Sequence, residues 1–193
     1  ILAFPAYKIG GYLPLTGREL HADELNAALA AMHEKGMYKS LVLYVEACES
    51  GSMFDGILNA SLNVRAVTAA NPSESSWGWY CDASTGSNIV MNRSMGVCLG
   101  DEFSVRMLED SDAADRESET LDEQAAAVTA AVTKSHVMEY GDLSFGDRPL
   151  ADFLGAPTAA RARPTARGDG VDSRDAKLKM LEARVRALAA EGT

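Results

Sequence analysis

The five consecutive apolar residues at 41–45 limit the fold of this chain more than any other stretch. A run of that length, rich in leucine, valine and tyrosine, predicts a strand buried on both faces of a sheet. The preceding residues 22–35 repeat apolar side chains at helical spacing and are followed by Gly36, which predicts an amphipathic helix. A helix that leads into a buried strand is typical of an α/β fold, in which helices cross over between parallel strands.

The rest of the chain adds predicted elements of the same kind. The pattern predicts strands at 64–68 and 137–140 and helices at 102–108, 121–133 and 174–190, with the acidic residues 109–112 ahead of the helix at 121–133. Residues 156–170 are rich in alanine, arginine, proline and glycine, a composition typical of a linker. We therefore predict an α/β domain with a sheet of mainly parallel strands flanked by helices, followed by a linker and a separate amphipathic helix.

The charge balance argues against several classes of partner. The chain has 28 acidic and 18 basic residues and a formal net charge of −10, the opposite of the basic surface that nucleic acid and anionic lipid attract. No apolar run approaches the roughly 20 residues needed to cross a bilayer. We expect no nucleic acid, membrane or cofactor to bind. The chain starts in apolar residues without an initiating methionine or a basic leader, so we expect it to be part of a longer protein.

Three cysteines allow one disulfide and one free thiol. Cys48 follows the strand predicted at 41–45 and is succeeded by small residues. Ligands bind at the carboxyl edge of parallel sheets, so the Cys48 thiol is expected at the mouth of a crevice. Position alone leaves two interpretations open, an inert buried thiol and a nucleophile. Cys81 and Cys98 bracket a loop of small and polar residues, a setting in which a disulfide between them would leave Cys48 unpaired.

Two N-x-S/T triplets begin at Asn59 and Asn92, in turn-like or loop-like contexts. Such triplets accept N-linked glycans in proteins that pass through the secretory pathway. Because they also arise by chance, glycosylation of each asparagine is a hypothesis.

Residues 46–52, Glu-Ala-Cys-Glu-Ser-Gly-Ser, resemble the nucleophile motif of the legumain family, whose members are also called asparaginyl endopeptidases or vacuolar processing enzymes. Further segments resemble the family in the same order: TAANP at 68–72, ESSWG at 74–78, CLGD at 98–101, MLEDSD at 107–112 and SHVMEYGD at 135–142. The resemblance continues more faintly over VDSRDA at 171–176. By these segments the chain is identified as a member of the family, truncated at both ends.

The resemblance implies a caspase-like domain, lacking its N-terminal strands, that cleaves after asparagine and less readily after aspartate in an acidic vacuole or lysosome. It assigns Cys48 as the nucleophile, with its backbone N–H in an oxyanion hole. The family's general base is a histidine of a His-Gly motif that would precede Ile1, so the chain as given is expected to be inactive. His21, His33 and His136 are interpreted as a helix-start residue, a solvated surface residue and a scaffold residue.

Asparagine specificity requires acceptors for the amide NH2 and a donor for its carbonyl, because an unpaired polar group in a desolvated pocket is costly. Glu46 and Asp101 match the family's acidic pocket residues, and Ser75 and Ser76 match the pocket wall. The family's pocket arginine would again precede Ile1. Ordinary solvated carboxylates remain the alternative interpretation of Glu46 and Asp101.

The resemblance also divides the chain and names its partners. Residues 1–155 correspond to the C-terminal portion of the protease domain, 156–170 to the activation-peptide region and 171–193 to the start of a helical prodomain. Cys81 and Cys98 match a disulfide that lies beside the pocket in plant-type members. The expected partners are proteins or peptides with an exposed asparagine, and the chain's own prodomain as inhibitor. The protein is expected to reach the vacuole or lysosome through the secretory pathway. Hydrolysis and peptide ligation proceed through the same thioester intermediate, so the sequence leaves both reactions possible.

Two alternatives to a legumain-like peptidase remain at this point. The first is a transamidase of the same clan that attaches lipid anchors, although the matched pocket residues and the prodomain-like tail argue against it. The second is a non-catalytic homologue that binds asparagine-containing peptides without cutting them.

Overall fold

The computed structural model describes residues 2–3, 12–15, 18–82, 87–155 and 170–191. The strands in these ranges are β1 (Leu2–Ala3), β2 (Tyr12–Leu15), β3 (Arg18–His21), β4 (Leu41–Glu46), β5 (Val64–Thr68), β6 (Trp77–Trp79), β7 (Ile89–Val90), β8 (Arg93–Ser94), β9 (Gly100–Asp101), β10 (Met138–Gly141) and β11 (Val171–Asp172). The helices are α1 (Ala22–Glu34), α2 (Glu102–Ala113), α3 (Leu121–Ala131), α4 (Ala151–Leu154) and α5 (Ala176–Glu191). Single 3-10 turns form at Ser50–Met53 and Ala60–Leu62.

The main sheet has the strand order β1-β4-β5-β10. β4 runs parallel to both β1 and β5, whereas β10 is antiparallel to β5. Leu41 pairs with Val64 and Val45 with Thr68, so β4 and β5 end at the same edge of the sheet. The segments that follow these two strands therefore start side by side, although the paired residues of β4 and β5 are 23 positions apart in the chain (Leu41 with Val64).

The apolar core has two halves, one on each face of the main sheet. Side chains alternate between the faces along a strand, so Val45 and Ala66 point to one half while Tyr44 and Val67 point to the other. Residues from α1 and the first 3-10 turn complete the first half, and residues from α2 and α3 complete the second: Ala22, Met53 and Phe54; Phe103, Met107 and Val128. The sheet is thus covered by helices on both faces, which is the arrangement of a mixed α/β fold.

Arg65 of β5 is a cation inside this fold, with its side chain only 2% exposed. Its Nη1 donates to Asp122 Oδ1 of α3 at 2.7 Å, and its Nε donates to Glu139 Oε2 of β10 at 2.8 Å. A buried charge is tolerated only when it is paired and hydrogen-bonded. The Arg65 guanidinium therefore ties β5, β10 and α3 together through charge.

The structure contains the predicted elements at 22–35, 41–45 and 64–68 as α1, β4 and β5. The helix predicted at 102–108 is longer than expected, because α2 continues to Ala113 and includes the acidic residues 109–112. Tertiary contacts account for the extension: Glu109 accepts hydrogen bonds from Tyr80 Oη at 2.9 Å and from Arg106 Nη1 at 3.0 Å. Pairing of this carboxylate removes the repulsion that a run of acidic residues would otherwise bring to the helix.

The C-terminal part of the chain is described from Gly170 onward, so most of the linker predicted at 156–170 lies outside the described residues. The helix predicted at 174–190 is α5, and four apolar residues along it are exposed: Leu178, Leu181, Val185 and Leu188. No helix in the described ranges combines the length and the apolar character that crossing a bilayer requires.

Three small sheets are present that the sequence pattern did not predict. β2 and β3 form one hairpin, β7 and β8 form another, and a third sheet has the order β11-β6-β9. Strands of two to four residues are too short for an alternating pattern to be recognised. The third of these sheets matters for function, because β6 begins immediately after Ser76 and β11 comes from the C-terminal segment.

Candidate active site

The Cys48 thiol lies at the carboxyl edge of the main sheet, two residues after β4 ends. It is a free thiol, fully buried, and its sulfur accepts a hydrogen bond from the Ser76 backbone N–H at 3.4 Å. The Ser76 Oγ is 3.7 Å from the same sulfur. Cys48 follows β4 and Ser76 belongs to the segment that follows β5, so the parallel pairing of these strands is what brings the two side chains together.

The loop that holds Cys48 is fixed on both sides. Glu49 adopts a left-handed backbone with φ of 53°, and the Ser50–Met53 turn begins directly after it. The Glu49 N–H donates to the Glu74 carbonyl at 2.7 Å, and the Gly51 N–H donates to the Ala70 carbonyl at 3.0 Å. A non-glycine residue in the left-handed region is uncommon and is retained where the surroundings hold it there. The thiol is therefore presented by a loop whose backbone is determined by the segment after β5.

Two acidic side chains lie next to this loop. Glu46, the last residue of β4, is 1% exposed, and its Oε2 accepts a hydrogen bond from the Ser104 N–H at 2.8 Å. Its other oxygen, Oε1, is buried without a hydrogen-bond partner among the described residues. Burial and the neighbouring Asp101 carboxylate raise the pKa of Glu46 to about 8. Burial also raises the pKa of Asp101, against the effect of a hydrogen bond from Ser173.

A peptide-like segment from the C-terminal part of the chain occupies the space between these groups. β11 pairs antiparallel with β6, and the Ser173 N–H donates to the Ser76 carbonyl at 3.1 Å. The Ser173 hydroxyl donates to Asp101 Oδ1 at 3.1 Å and is 3.4 Å from Ser76 Oγ. Main-chain pairing to a sheet edge, with one side chain reaching into a pocket, is the way extended peptides bind by strand addition. Residues 171–173 therefore lie against β6 as an added strand, with the Ser173 side chain next to Asp101.

An ion pair holds the same segment beside the nucleophile. Arg174 Nη2 donates to Glu49 Oε1 at 2.6 Å, and the two side chains are 39% and 18% exposed. Because Glu49 is adjacent to Cys48 in the chain, this contact anchors the C-terminal segment directly against the nucleophile loop.

The sequence-predicted pocket residues are brought together by the fold. Glu46 and Asp101 are adjacent enough for the charge of one to affect the other, and Ser76 contacts both Cys48 and Ser173. Ser75 is half-buried and immediately precedes Ser76 in the same wall segment. The structure therefore disagrees with the interpretation of Glu46 as a solvated carboxylate, since its side chain is enclosed.

A disulfide joins Cys81 to Cys98 at the base of the loop 82–97. The backbone of Gly78 in β6 packs against this disulfide so closely that a Cβ there would lie 3.0 Å from the Cys98 sulfur. The disulfide therefore supports the strand to which the C-terminal segment pairs.

None of the three histidines is a hydrogen-bond partner of the Cys48 sulfur in the described part of the chain. His21 precedes α1, where its N–H donates to the Glu24 carboxylate at 3.1 Å. His136 is exposed and pairs through Nδ1 with Glu74 Oε2 at 2.8 Å. His33 is half-buried in the last turn of α1, with its ring 6.0 Å from the Tyr38 ring, so its interpretation as a solvated residue needs correction.

Sequence reasoning missed the contribution of Ser173 and the pairing of Glu49 with Arg174. Ser173 lies inside the faint VDSRDA match, but nothing in that segment indicates a contact with Asp101. Glu49 and Arg174 are 125 residues apart, so no local pattern relates them. Their opposite charges were the only available signal.

Among the described side chains, no group of three or more His, Cys, Asp or Glu is arranged to hold a metal ion. A free cysteine at the edge of an α/β sheet, beside an acidic pocket and an extended peptide segment, is the arrangement of a cysteine-peptidase crevice. The model of the Peptidase C13 family matches residues 10–156. The chain belongs to this family.

Curated relatives carry the names of vacuolar-processing enzymes and legumains. The chain is 39% identical over 183 residues to the vacuolar-processing enzyme delta-isozyme of Arabidopsis thaliana, covering 88% of this chain and 39% of that protein. It is 44% identical over 149 residues to the vacuolar-processing enzyme of Citrus sinensis, covering 75% of this chain and 30% of that protein. It is 36% identical over 179 residues to the legumain of Mus musculus, covering 91% of this chain and 39% of that protein. The chain thus spans well under half the length of these relatives.

Proposed function

We propose that the protein is a cysteine endopeptidase that cleaves after asparagine, and less readily after aspartate, at acidic pH. The observation that carries the proposal is a pair of neighbouring acids, the buried Glu46 and the half-buried Asp101, close to a free thiol, Cys48. Membership of the Peptidase C13 family supports the reaction class. The names of the relatives, vacuolar-processing enzyme and legumain, support the same assignment.

In the proposed reaction the Cys48 thiolate attacks the carbonyl carbon after asparagine, and the Cys48 N–H stabilises the resulting oxyanion. The carbon–nitrogen bond then breaks, the leaving amine takes a proton, and water hydrolyses the thioester. A thiol with an ordinary pKa near 8.5 is mostly protonated at acidic pH, so a base is required. We expect this base to be the family's histidine, a role that His21, His33 and His136 do not match, since none of them contacts the Cys48 sulfur in the described part of the chain.

The pocket chemistry favours a carboxamide. With its pKa raised to about 8, Glu46 is neutral at acidic pH and can donate a hydrogen bond from its carboxyl group to the asparagine Oδ1. Asp101, when ionised, can accept from the asparagine NH2, while Ser75 and Ser76 form the wall. An aspartate carboxylate would face these acids and is disfavoured, whereas protonated aspartate resembles asparagine in shape and hydrogen bonding.

The ratio of asparagine to aspartate cleavage is therefore expected to rise with pH. If only neutral aspartate fits, its competent fraction falls about tenfold per pH unit above its ordinary pKa of about 3.9. Asparagine has no such loss, and Glu46 stays neutral until pH approaches about 8. Values of kcat/KM for two otherwise identical fluorogenic peptides, measured with the protein expressed from its full open reading frame, test this expectation.

The matched controls are a glutamine peptide, whose extra methylene should not fit, and the Cys48→Ala variant, which reports contaminating protease. A ratio that stays flat with pH would count against the acidic pocket as the source of specificity. Equal cleavage after asparagine and glutamine would contradict the proposed asparagine specificity itself.

We further propose that the protein is made as a zymogen whose C-terminal prodomain blocks the crevice. Support comes from residues 171–175, which run across the site with Ser173 against Asp101 and Arg174 against Glu49. Substrate and segment compete for the same sheet edge of β6, so cleavage requires the segment to leave. The Ser173 hydroxyl donates to Asp101 at 3.1 Å, as a substrate carboxamide would, so the segment and a substrate exclude each other at this acid.

Removing the Arg174–Glu49 contact is expected to raise the activity of the uncut zymogen. An ion pair that is partly exposed contributes about 0.2–1 kcal/mol after solvent screening, so Arg174→Ala should increase initial rates by a factor of about 1.4 to 5. Lys179→Ala is the matched control, because it removes the exposed pair with Glu182 on α5 without touching the crevice. Initial rates near neutral pH, taken before the prodomain is cleaved, provide the measurement. Equal initial rates for Arg174→Ala and Lys179→Ala would show that the Arg174–Glu49 ion pair does not contribute to inhibition.

The proposed setting is a vacuole or lysosome reached through the secretory pathway. A disulfide between Cys81 and Cys98 suits an oxidising route. The two glycosylation sites predicted at Asn59 and Asn92 are exposed, as attachment of a glycan requires. Glycosylation of either asparagine remains a prediction.

A further inference from the structure

The asparagines of this chain are distributed unevenly, and this matters if the protein cleaves after asparagine. All six precede Arg93: Asn26, Asn59, Asn63, Asn71, Asn88 and Asn92. The linker and the C-terminal segment contain none. Any cut that the protein makes after asparagine in another copy of this chain must therefore fall in its first half.

Most of these asparagines are held by the fold. Asn26 is 8% exposed and donates to two backbone carbonyls, and Asn88 is 2% exposed and donates to the Cys81 carbonyl at 3.0 Å. Asn63 and Asn71 are half-buried, and both make side-chain hydrogen bonds. Asn59 is exposed, but its Oδ1 accepts from the Ser61 N–H at 2.9 Å and caps a 3-10 turn. A protease needs the asparagine side chain free to enter its pocket, so these five, each with a hydrogen-bonded side chain, are poor sites.

Asn92 differs from the others in having a side chain that is both exposed and unbonded. It lies at the tip of the β7–β8 hairpin, and its carboxamide has no hydrogen-bond partner among the described residues. Met91 and Asn92 both have left-handed backbones, with φ of 49° and 60°, as two-residue hairpin turns require; asparagine tolerates this conformation, whereas methionine adopts it at a cost. The neighbouring Met91 is 95% exposed.

The hairpin that carries Asn92 is short. Two residue pairs, Ile89 with Ser94 and Val90 with Arg93, join its strands, and at its base the Met95 N–H and the Ser94 hydroxyl donate to Asn88 at 3.1 and 3.2 Å. All four paired residues are exposed, so opening the hairpin uncovers almost no buried surface. Residues 90–93 can therefore adopt the extended form that a protease cleft binds.

The Cys81–Cys98 disulfide encloses the hairpin, with a separation of 17 residues between its cysteines. A break in the backbone at Asn92 would therefore leave the two pieces covalently joined. The pocket wall at Ser76 and the acid at Asp101 lie outside the enclosed loop, so such a break would not sever them from the main sheet.

We propose that the Asn92–Arg93 peptide bond is a self-cleavage site, cut by the active site of a second copy and bridged by the Cys81–Cys98 disulfide. The inference rests on the proposed asparagine specificity. The Cys48 sulfur of the attacking copy bonds to the Asn92 carbonyl carbon, and the bond to the Arg93 nitrogen breaks. That nitrogen leaves as an amine after taking a proton, and water then releases Asn92 with a new carboxylate.

The test uses the full-length Cys48→Ala protein as substrate, made in bacteria so that Asn92 carries no glycan. A catalytic amount of the active protein is added at acidic pH, together with a fluorogenic asparagine peptide as internal control. The expected result is two fragments on a reducing gel that begin and end at the Asn92–Arg93 junction. Without reductant the substrate should stay in one piece and gain the mass of one water molecule.

Two variants in the Cys48→Ala background test whether the cut occurs at Asn92 specifically. Asn92→Gln is expected to resist cleavage at this junction, while the matched Asn59→Gln variant should be cut as fast as the parent. Peptide cleavage without a cut at Asn92–Arg93 would overturn the inference and leave the proposed function standing. Failure to cleave the peptide would overturn both.

Discussion

Replacing Cys48 by alanine is expected to lower kcat/KM for an asparagine peptide by roughly 10⁴-fold or more. The proposed reaction passes through a thioester, and alanine has no atom that can form one. The nearest hydroxyl, Ser76 Oγ, is 3.7 Å from the sulfur and is far less nucleophilic than a thiolate. Initial rates on the fluorogenic asparagine peptide, with the wild-type and variant proteins activated identically, provide the measurement.

Cys48→Ser is the matched control, because it keeps the size and a polar atom at the fully buried position while removing the sulfur. It too should lose turnover, and both variants should still bind the peptide, since Glu46 and Asp101 are unchanged. Most of the activity surviving in Cys48→Ala would mean that another group is the nucleophile.

Arg65→Ala is expected to destabilise the protein by about 2–5 kcal/mol, mainly because a large buried side chain is lost, since the carboxylates left behind at Asp122 and Glu139 are 62% and 28% exposed. The change leaves the Glu139 and Asp122 carboxylates without their cation and opens space where a large, 2% exposed side chain had packed. For a chain of this size the corresponding fall in Tm is on the order of 10 °C. Thermal unfolding followed by circular dichroism near neutral pH measures it.

Two further variants separate charge from packing. Arg65→Met fills most of the volume and should recover part of the loss, whereas Arg65→Lys keeps the charge but cannot serve both carboxylates with one ammonium group. Lys179→Ala, which removes an exposed pair, should change stability by less than about 1 kcal/mol. A fall in Tm for Arg65→Ala no larger than that for Lys179→Ala would contradict the assignment of Arg65 as a structural cation.

The elements predicted from the sequence are those whose signal is local. Residues 41–45 predict a strand because they are continuously apolar, and the structure has β4 from Leu41 to Glu46. The first helix follows from apolar spacing and ends as α1 at Glu34. β6, β9 and β11 gave no such signal, since two or three residues cannot carry a period.

In the candidate site, too, the residues with a local sequence signal could be predicted and those without one could not. Cys48 and its motif could be identified in the sequence, and the parallel strand before it indicates an edge where ligands bind. Ser173 could not be assigned to the pocket, because its bonds to Ser76 and Asp101 join parts of the chain that are 97 and 72 residues apart. Contacts at such distances depend on how the chain closes its long loops, and no short pattern records that closure.

The sequence by itself determined the family and the main helices and strands, and it supplied the residues proposed to form the crevice. Only the tertiary structure decided that Glu46 is enclosed beside Asp101, with its pKa raised to about 8, and that Ser173 and Arg174 lie across the nucleophile loop. The physical reason is that backbone conformation follows from neighbouring residues, whereas desolvation and charge pairing depend on which distant groups share one enclosed space.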